Sequence, residues 1–148
     1  MKIKNLLLLL VVLFGITSCL KKEDSEAPLI ASFYLNGLTS SVDTVQAGDT
    51  LLVVWSLTDN ESLKQAVLNV HPADDGHGHE GLPGDTTQVV NTGIWTFSKT
   101  FDCTGRYTLL SHTLYVPDTI QGFWHVEIQA VDEKGNAAEE YAVELVVQ

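Results

Sequence analysis

GFWHVEIQAVDEKGNAAEEYAVELVV, residues 122–147, is the stretch that decides the fold. Two runs in it alternate apolar and polar side chains, as a β-strand with one buried face does. The apolar positions are Trp124, Val126, Ile128 and Ala130 in the first run and Tyr141, Val143, Leu145 and Val147 in the second. Between the runs, residues 132–136 contain the Gly and Asn of a tight turn. The stretch therefore predicts a β-hairpin that ends the domain.

The rest of the chain has the same character, with short apolar runs separated by turn residues at fairly even spacing. The runs are rich in Val, Thr, Tyr and Trp, and no long segment has the 3.6-residue period of a helix. This pattern predicts an all-β antiparallel sandwich of about seven to eight strands. The predicted strands are residues 29–35, 50–58, 63–71, 86–91, 94–101, 106–116, 122–132 and 137–147.

The N-terminus has the features of an export signal. Residues 1–4 include two basic side chains, Lys2 and Lys4, and residues 6–14 form an unbroken apolar run. This run is too short to span a bilayer. The sequence ITSC, residues 16–19, resembles a bacterial lipobox, which implies that Cys19 is lipidated after cleavage. We therefore divide the chain into a signal peptide (1–18), a lipidated, flexible tether (19–27) and one β-sandwich domain (28–148). The tether motif Lys22-Glu23-Asp24 resembles the export signal of Bacteroidota surface lipoproteins, which leaves the cell surface and the periplasmic face of the outer membrane both open.

Charge and cysteine content exclude several classes of protein. The chain has eight basic and 19 acidic residues, and removal of Lys2 and Lys4 with the signal leaves a net charge of −13. Such a chain repels nucleic acid and anionic membrane surfaces, so we expect membrane attachment through the lipid alone. With Cys19 used by the lipid, Cys103 has no partner for an intrachain disulfide. We expect Cys103 to be a small buried side chain and the domain to depend on its hydrophobic core.

Two resemblances refine the fold. Three segments resemble bacterial immunoglobulin-like modules. They are QAGDT before residues 51–57, TDNESL after those residues, and the terminal stretch quoted above. By that resemblance the strands are B (50–58), C (63–71), E (106–116), F (122–132) and G (137–147). In addition, LKQAVLNVHPADDGHGHE and HTLYVPDTIQGFWHVEIQAVDEKGN are similar to a family of Bacteroidota lipoproteins, the domain of unknown function 4625. The family implies an immunoglobulin-like fold and a lipid anchor, but no established activity.

All five histidines are expected at one end of the sandwich. Strands C and F are antiparallel neighbours in an immunoglobulin-like fold, so His71 at the end of C lies beside His125 near the start of F. His77 and His79 follow in the loop that leaves the same end, and His112 lies in the second half of E. Taken alone, His125 shares the expected solvated face with Glu127 and Gln129.

Histidines in this arrangement point to a transition-metal site. His77 and His79 lie two residues apart in a glycine-rich loop, and a short His-rich tract is typical of metal binding. We predict His71, His77, His79 and His125 as ligands, with His112 less certain, and Glu80, Asp74 and Asp75 as candidate partners. Imidazole ligands with a nearby carboxylate favour Zn(II), with Cu(II) and Ni(II) as competitors. The mature chain has no Met and no available thiolate, so it lacks the soft ligands that Cu(I) prefers. The loop lacks the regular ligand spacing of a calcium site.

Each histidine also has a structural interpretation when taken singly: His112 as a partly buried ring, His71 as the last residue of a strand before Pro72, and the loop as a mobile acidic segment.

The chain carries none of the common catalytic motifs, so we expect no enzyme. The sequence predicts capture or hand-over of a metal ion at the cell envelope, beside an outer-membrane transport partner. The alternative is a surface adhesion or assembly module that binds protein and uses no metal. Trp95 bears on this alternative, and we expect it in the core rather than in an exposed contact.

Overall fold

The computed structural model describes residues 24–36, 42–73 and 91–148 of the 148-residue chain. All regular structure in these ranges is β, and no helix there is long and apolar enough to cross a membrane. The eight strands are β1 (Leu29–Leu35), β2 (Val42–Val45), β3 (Thr50–Thr58), β4 (Leu63–Pro72), β5 (Phe97–Asp102), β6 (Tyr107–Tyr115), β7 (Gly122–Asp132) and β8 (Tyr141–Val147).

The strands form two sheets, one in the order β1-β3-β6 and the other in the order β2-β8-β7-β4-β5. Every neighbouring pair is antiparallel except β2 with β8, which is parallel. Strand β3 beside β6 corresponds to B beside E, and β4 beside β7 beside β8 corresponds to C, F and G of an immunoglobulin-like sandwich. The predicted fold class is confirmed.

The core lies between the sheets and is built by strict alternation along the strands. Trp55 of β3 and Trp124 of β7 are completely buried, and Trp95 packs against Trp124 with ring centroids 5.9 Å apart. The other inner residues of these two strands are Leu51, Val53, Leu57, Val126, Ile128 and Ala130. The free Cys103 is buried as well, and burial raises the pKa of its thiol. Alternation in the sequence therefore predicts the inner face correctly.

Several strand boundaries differ from those predicted. β5 spans Phe97–Asp102 rather than residues 94–101, and β8 begins at Tyr141 rather than at residue 137. The delay in β8 follows from the turn, where Asp132 accepts hydrogen bonds from the amides of Lys134 and Asn136 and only an isolated bridge joins Val131 to Ala137. β2 was not predicted, because its four residues are too few to show alternation. Of the strand predicted at residues 86–91, only residue 91 lies within the described ranges, and it is not in a strand.

The start of β7 is fixed by a side-chain clamp. Asn91 accepts a hydrogen bond from the amide of Phe123 (2.6 Å) and donates one to the carbonyl of the same residue (2.8 Å). Gly122 beside it has φ of +115°, and a Cβ at this position would lie 2.1 Å from Asn91 Oδ1. Only glycine fits both the backbone angle and the space.

We expect Gly122→Ala to lower the free energy of unfolding by about 2–4 kcal/mol, because backbone strain and overpacking add. Gly105→Ala is the matched control, since Gly105 also has a positive φ (+72°) but no atom within 4 Å of the added Cβ. The control should lose only about 1–2 kcal/mol. Urea unfolding of both variants measures this difference. Equal losses of unfolding free energy in the two variants would contradict the close contact between residue 122 and Asn91.

A candidate metal centre

The pairing of β4 with β7 brings two predicted ligands together. His71 is the direct cross-strand partner of His125, and their ring centroids are 5.4 Å apart at an angle of 81°. This register places both side chains on the outer face of the sheet, since the alternate residues Val70 and Trp124 point into the core. The site lies at the end of the sandwich where β4 and β6 end and β7 begins, which we call the histidine pole.

Glu127 completes a three-residue group. It lies two residues after His125 on the same face of β7, and its Oε1 is 2.6 Å from His71 Nε2. One ligand atom from each of His71, His125 and Glu127 lies within 4.8 Å of the other two. We call these three residues the His–Glu cluster.

The protonation of His71 is constrained by its surroundings. His71 Nδ1 lies 3.0 Å from the carbonyl oxygen of Pro72, and a carbonyl can only accept, so Nδ1 carries a hydrogen. The neutral ring then presents the lone pair of Nε2 toward the Glu127 oxygen, and two electron-rich atoms at 2.6 Å repel each other. Although the contact is short, Glu127 Oε1 accepts no hydrogen bond of ordinary geometry. A positive charge between the two atoms, either a proton or a metal ion, makes the arrangement favourable.

The cluster is far less exposed than its sequence pattern suggests. His125 and Glu127 are only 2% and 4% exposed, whereas Gln129 on the same face is exposed. The expectation of a solvated His125 is therefore wrong. β7 is the central strand of five, so His125 lies between His71 on β4 and Glu144 on β8, its direct partner on the other side.

The geometry suits a small metal ion after modest contraction. Zn–N and Zn–O bonds of about 2.0–2.2 Å place tetrahedral ligand atoms roughly 3.4 Å apart. The longest edge of the cluster, at most 4.8 Å, must then shorten by up to about 1.5 Å, which side-chain rotation can supply. A hydrogen bond from the far ring nitrogen of a histidine to a backbone carbonyl, as in His71, is the usual way to orient a metal-binding imidazole. Two imidazoles and one carboxylate leave a fourth position open.

His112 does not join the cluster. Its ring stacks on Phe97 at 5.3 Å and meets Phe101 edge-on at 5.8 Å, so it packs against the aromatic side chains of β5. Although β6 ends at the histidine pole, it belongs to the other sheet, and this packing takes the ring away from the ligand set. Burial, with a smaller contribution from Lys99, lowers the pKa of His112.

The remaining predicted residues lie outside the described ranges: His77, His79, Glu80, Asp74, Asp75 and the lipidation residue Cys19. Conversely, the sequence prediction missed Glu127 as a member of the cluster and Glu144 as the cross-strand neighbour of His125. The signal for Glu127 was its i+2 spacing from His125, which places it on the same face as the histidine pair.

With this geometry established, the chain can be compared with known families. Residues 17–147 match the domain of unknown function DUF4625. The chain belongs to the DUF4625 family. No curated protein matches it.

Solved structures similar to this DUF4625 chain are distant. The PKD domain of an M14-like peptidase from a Thermoplasmatales archaeon is 16% identical, with 84% of this chain and 98% of that chain covered and a TM-score of 0.44. A Pseudomonas fluorescens alkylpurine DNA glycosylase bound to DNA containing an abasic site analogue is 15% identical (80% and 30% covered, TM-score 0.44). A lytic polysaccharide monooxygenase from Streptomyces lividans is also 15% identical (75% and 62% covered, TM-score 0.45).

Because burial disfavours the imidazolium, we expect His112 to titrate below its ordinary value of 6.5 in an NMR pH titration of metal-free protein. The sign of the linkage follows: its contribution to stability is fully present above pH 6.5 and is lost as the pH falls toward the folded-state pKa. Lys99→Gln should return the pKa only part of the way, since burial is the larger cause. Titration of His112 at or above 6.5 would contradict the packing described here.

Proposed function

We propose that this DUF4625 protein is a lipid-anchored envelope protein that binds a divalent transition-metal ion at the His–Glu cluster. The observation that carries the proposal is the contact of His71 Nε2 with Glu127 Oε1, together with the Pro72 carbonyl that fixes the hydrogen on Nδ1. With the hydrogen of Nδ1 donated to the Pro72 carbonyl, the neutral ring presents its Nε2 lone pair toward a carboxylate, which is the electronic arrangement of two ligands facing one cation.

His125 supplies the second nitrogen. Its ring lies beside that of His71 and is almost completely buried, so an ion held there is largely removed from bulk water. A buried carboxylate beside two imidazoles gains from such an ion because the charge of Glu127 is neutralised in a medium of low dielectric constant. Glu144, the cross-strand neighbour of His125, is placed to orient its ring from the other side.

The sequence offers candidates for the open fourth position. His77 and His79 follow Pro72 by five and seven residues, and a chain of that length reaches about 16–25 Å when extended. We therefore retain both as proposed ligands, with Glu80, Asp74 and Asp75 as weaker candidates. A site of nitrogen ligands with one carboxylate suits Zn(II) first and Cu(II) or Ni(II) as competitors.

The cellular role follows from the N-terminal sequence. The signal at residues 1–18 and the lipobox cysteine, Cys19, support export and anchoring at the outer membrane, on the cell surface or on the periplasmic face. We propose capture of the ion, or its hand-over to an outer-membrane transport partner, and binding without catalysis.

Calorimetric titration of the EDTA-stripped protein with Zn(II) tests the proposal. We expect about one ion per chain and its loss in the His71→Ala/His125→Ala double variant. Glu127→Gln keeps the shape of the side chain but removes its charge, so we expect affinity to fall at least about 10-fold. The His77→Ala/His79→Ala variant should bind more weakly than the wild type if the loop supplies the fourth ligand.

His112→Ala is the matched control, because it removes an imidazole from the same pole but outside the cluster. Its zinc affinity should equal that of the wild type once circular dichroism shows a folded protein. Equal binding by the control and the double variant, or no binding of Zn(II), Cu(II) or Ni(II) by the wild type, would overturn the metal proposal. An adhesion module would be indifferent to all these changes.

A further inference from the structure

Three aspartates converge at the pole opposite the histidines. Asp24 precedes β1, Asp59 lies in the turn from β3 to β4, and Asp132 ends β7. One carboxylate oxygen from each lies within 4.8 Å of one from each of the others. Asp132 is completely buried, Asp24 is 8% exposed, and Asp59 is partly buried. We call these three residues the aspartate cluster.

Hydrogen bonds hold each carboxylate in place. Asp132 is fully engaged, with both oxygens accepting from the turn that follows it. Asp24 uses only Oδ1, which accepts from the Glu26 amide and from Asn60 Nδ2. Asp59 uses only Oδ2, which accepts from the Glu61 amide at 2.8 Å. The positions of the carboxylates are therefore set by the backbone turns around them and do not require a bound ligand.

Two carboxylate oxygens of the cluster have no hydrogen-bond donor. Asp24 Oδ2 and Asp59 Oδ1 are both buried, and neither accepts a hydrogen bond. No Lys, Arg or His in the described part of the chain forms an ion pair with any of the three aspartates. Buried carboxylate oxygens without a donor or a counter-charge are rare, because desolvation and mutual repulsion both disfavour them. A cation shared by the three carboxylates would neutralise their charge and coordinate these two oxygens.

The ligand chemistry selects the cation. All donors are oxygens, which suit hard ions, and no nitrogen or sulfur ligand is present among the described residues of the cluster. Ca²⁺ binds oxygen at 2.3–2.6 Å, so two oxygens on one ion lie up to about 5.2 Å apart, and this limit covers every separation in the cluster, since the three atoms lie within 4.8 Å of one another. Mg²⁺, with bonds of 2.0–2.1 Å, limits this separation to about 4.2 Å.

We propose that Asp24, Asp59 and Asp132 form a calcium-binding site. The three carboxylates come from the segment before β1, from the turn between β3 and β4, and from the last residue of β7, so the ion ties the entry of the domain to the ends of β3 and β7. Among the described residues, Asn60 Nδ2 donates a hydrogen bond to Asp24 Oδ1 at 2.9 Å, and Asn136 Nδ2 donates one to the Asp24 carbonyl at 3.3 Å. Calcium would therefore stiffen the junction between the domain and the chain that precedes it. This inference is independent of the His–Glu cluster, which lies at the other pole.

Thermal unfolding of the EDTA-stripped full-length protein in detergent, with CaCl₂ added from 10 µM to 10 mM, tests the proposal. We expect a dissociation constant of about 0.1–1 mM, as in other extracellular calcium modules, and a rise in Tm of about 4–8 °C at ten times that concentration. Equilibrium dialysis with ⁴⁵Ca²⁺ should give one ion per chain. MgCl₂ at equal concentration should give a smaller shift.

Asp24→Asn and Asp59→Asn are the test variants, because each removes one charge and preserves the shape of the side chain. In EDTA both should be at least as stable as the wild type, since repulsion is relieved, and both should lose the calcium shift. Asp118→Asn, which removes an exposed carboxylate at the histidine pole, is the matched control and should keep the shift. Absence of calcium binding by the wild type, or equal shifts in all four proteins, would overturn the proposal. Zinc affinity should be unchanged in Asp24→Asn, which separates this site from the His–Glu cluster.

Discussion

The antiparallel register between β4 and β7 is the constraint on which the rest of the structure depends. These are the two longest strands, and their inner faces carry Leu68, Val70, Val126 and Ile128, all almost completely buried. Because side chains alternate with a period of two, a slip of one residue would turn these apolar groups outward. The core therefore fixes the register, and the register places His71 opposite His125 on the outer face. The candidate metal centre is held in position by hydrophobic burial on the other side of the sheet.

The two ends of the sandwich present different chemistry from the same pair of strands. β7 carries His125 and Glu127 near its start and Asp132 at its end, and β4 carries His71 at its end and follows Asp59 at its beginning. One end offers nitrogen with a single carboxylate, and the other offers only oxygen. The ions preferred by the two ends differ accordingly, since soft and borderline ions favour imidazole and hard ions favour carboxylate.

The sequence predicts the fold and two of the three residues of the candidate centre for reasons that can be traced to individual residues. Alternation along residues 122–132 identifies the central strand, and pairing of C with F brings His71 to His125. The burial of Glu127 could not be predicted, because alternation along β7 places it on the outer face with Gln129, which is exposed. His112 lies where the strand prediction puts it but outside the cluster, because its ring packs on Phe97 and Phe101, and packing between sheets leaves no trace in strand periodicity. The aspartate cluster has no spacing motif, since its members are far apart in the chain.

The central claim is that a transition-metal ion binds where His71, His125 and Glu127 converge. X-ray absorption at the zinc K-edge, on protein loaded with one equivalent of Zn(II), tests it most directly. The account predicts a first shell of nitrogen and oxygen at about 2.0–2.2 Å, with the outer-shell scattering of at least two imidazole rings. That imidazole scattering should fall by at least one ring in the His71→Ala variant. A shell of oxygen alone, without imidazole scattering in the wild type, would contradict the account.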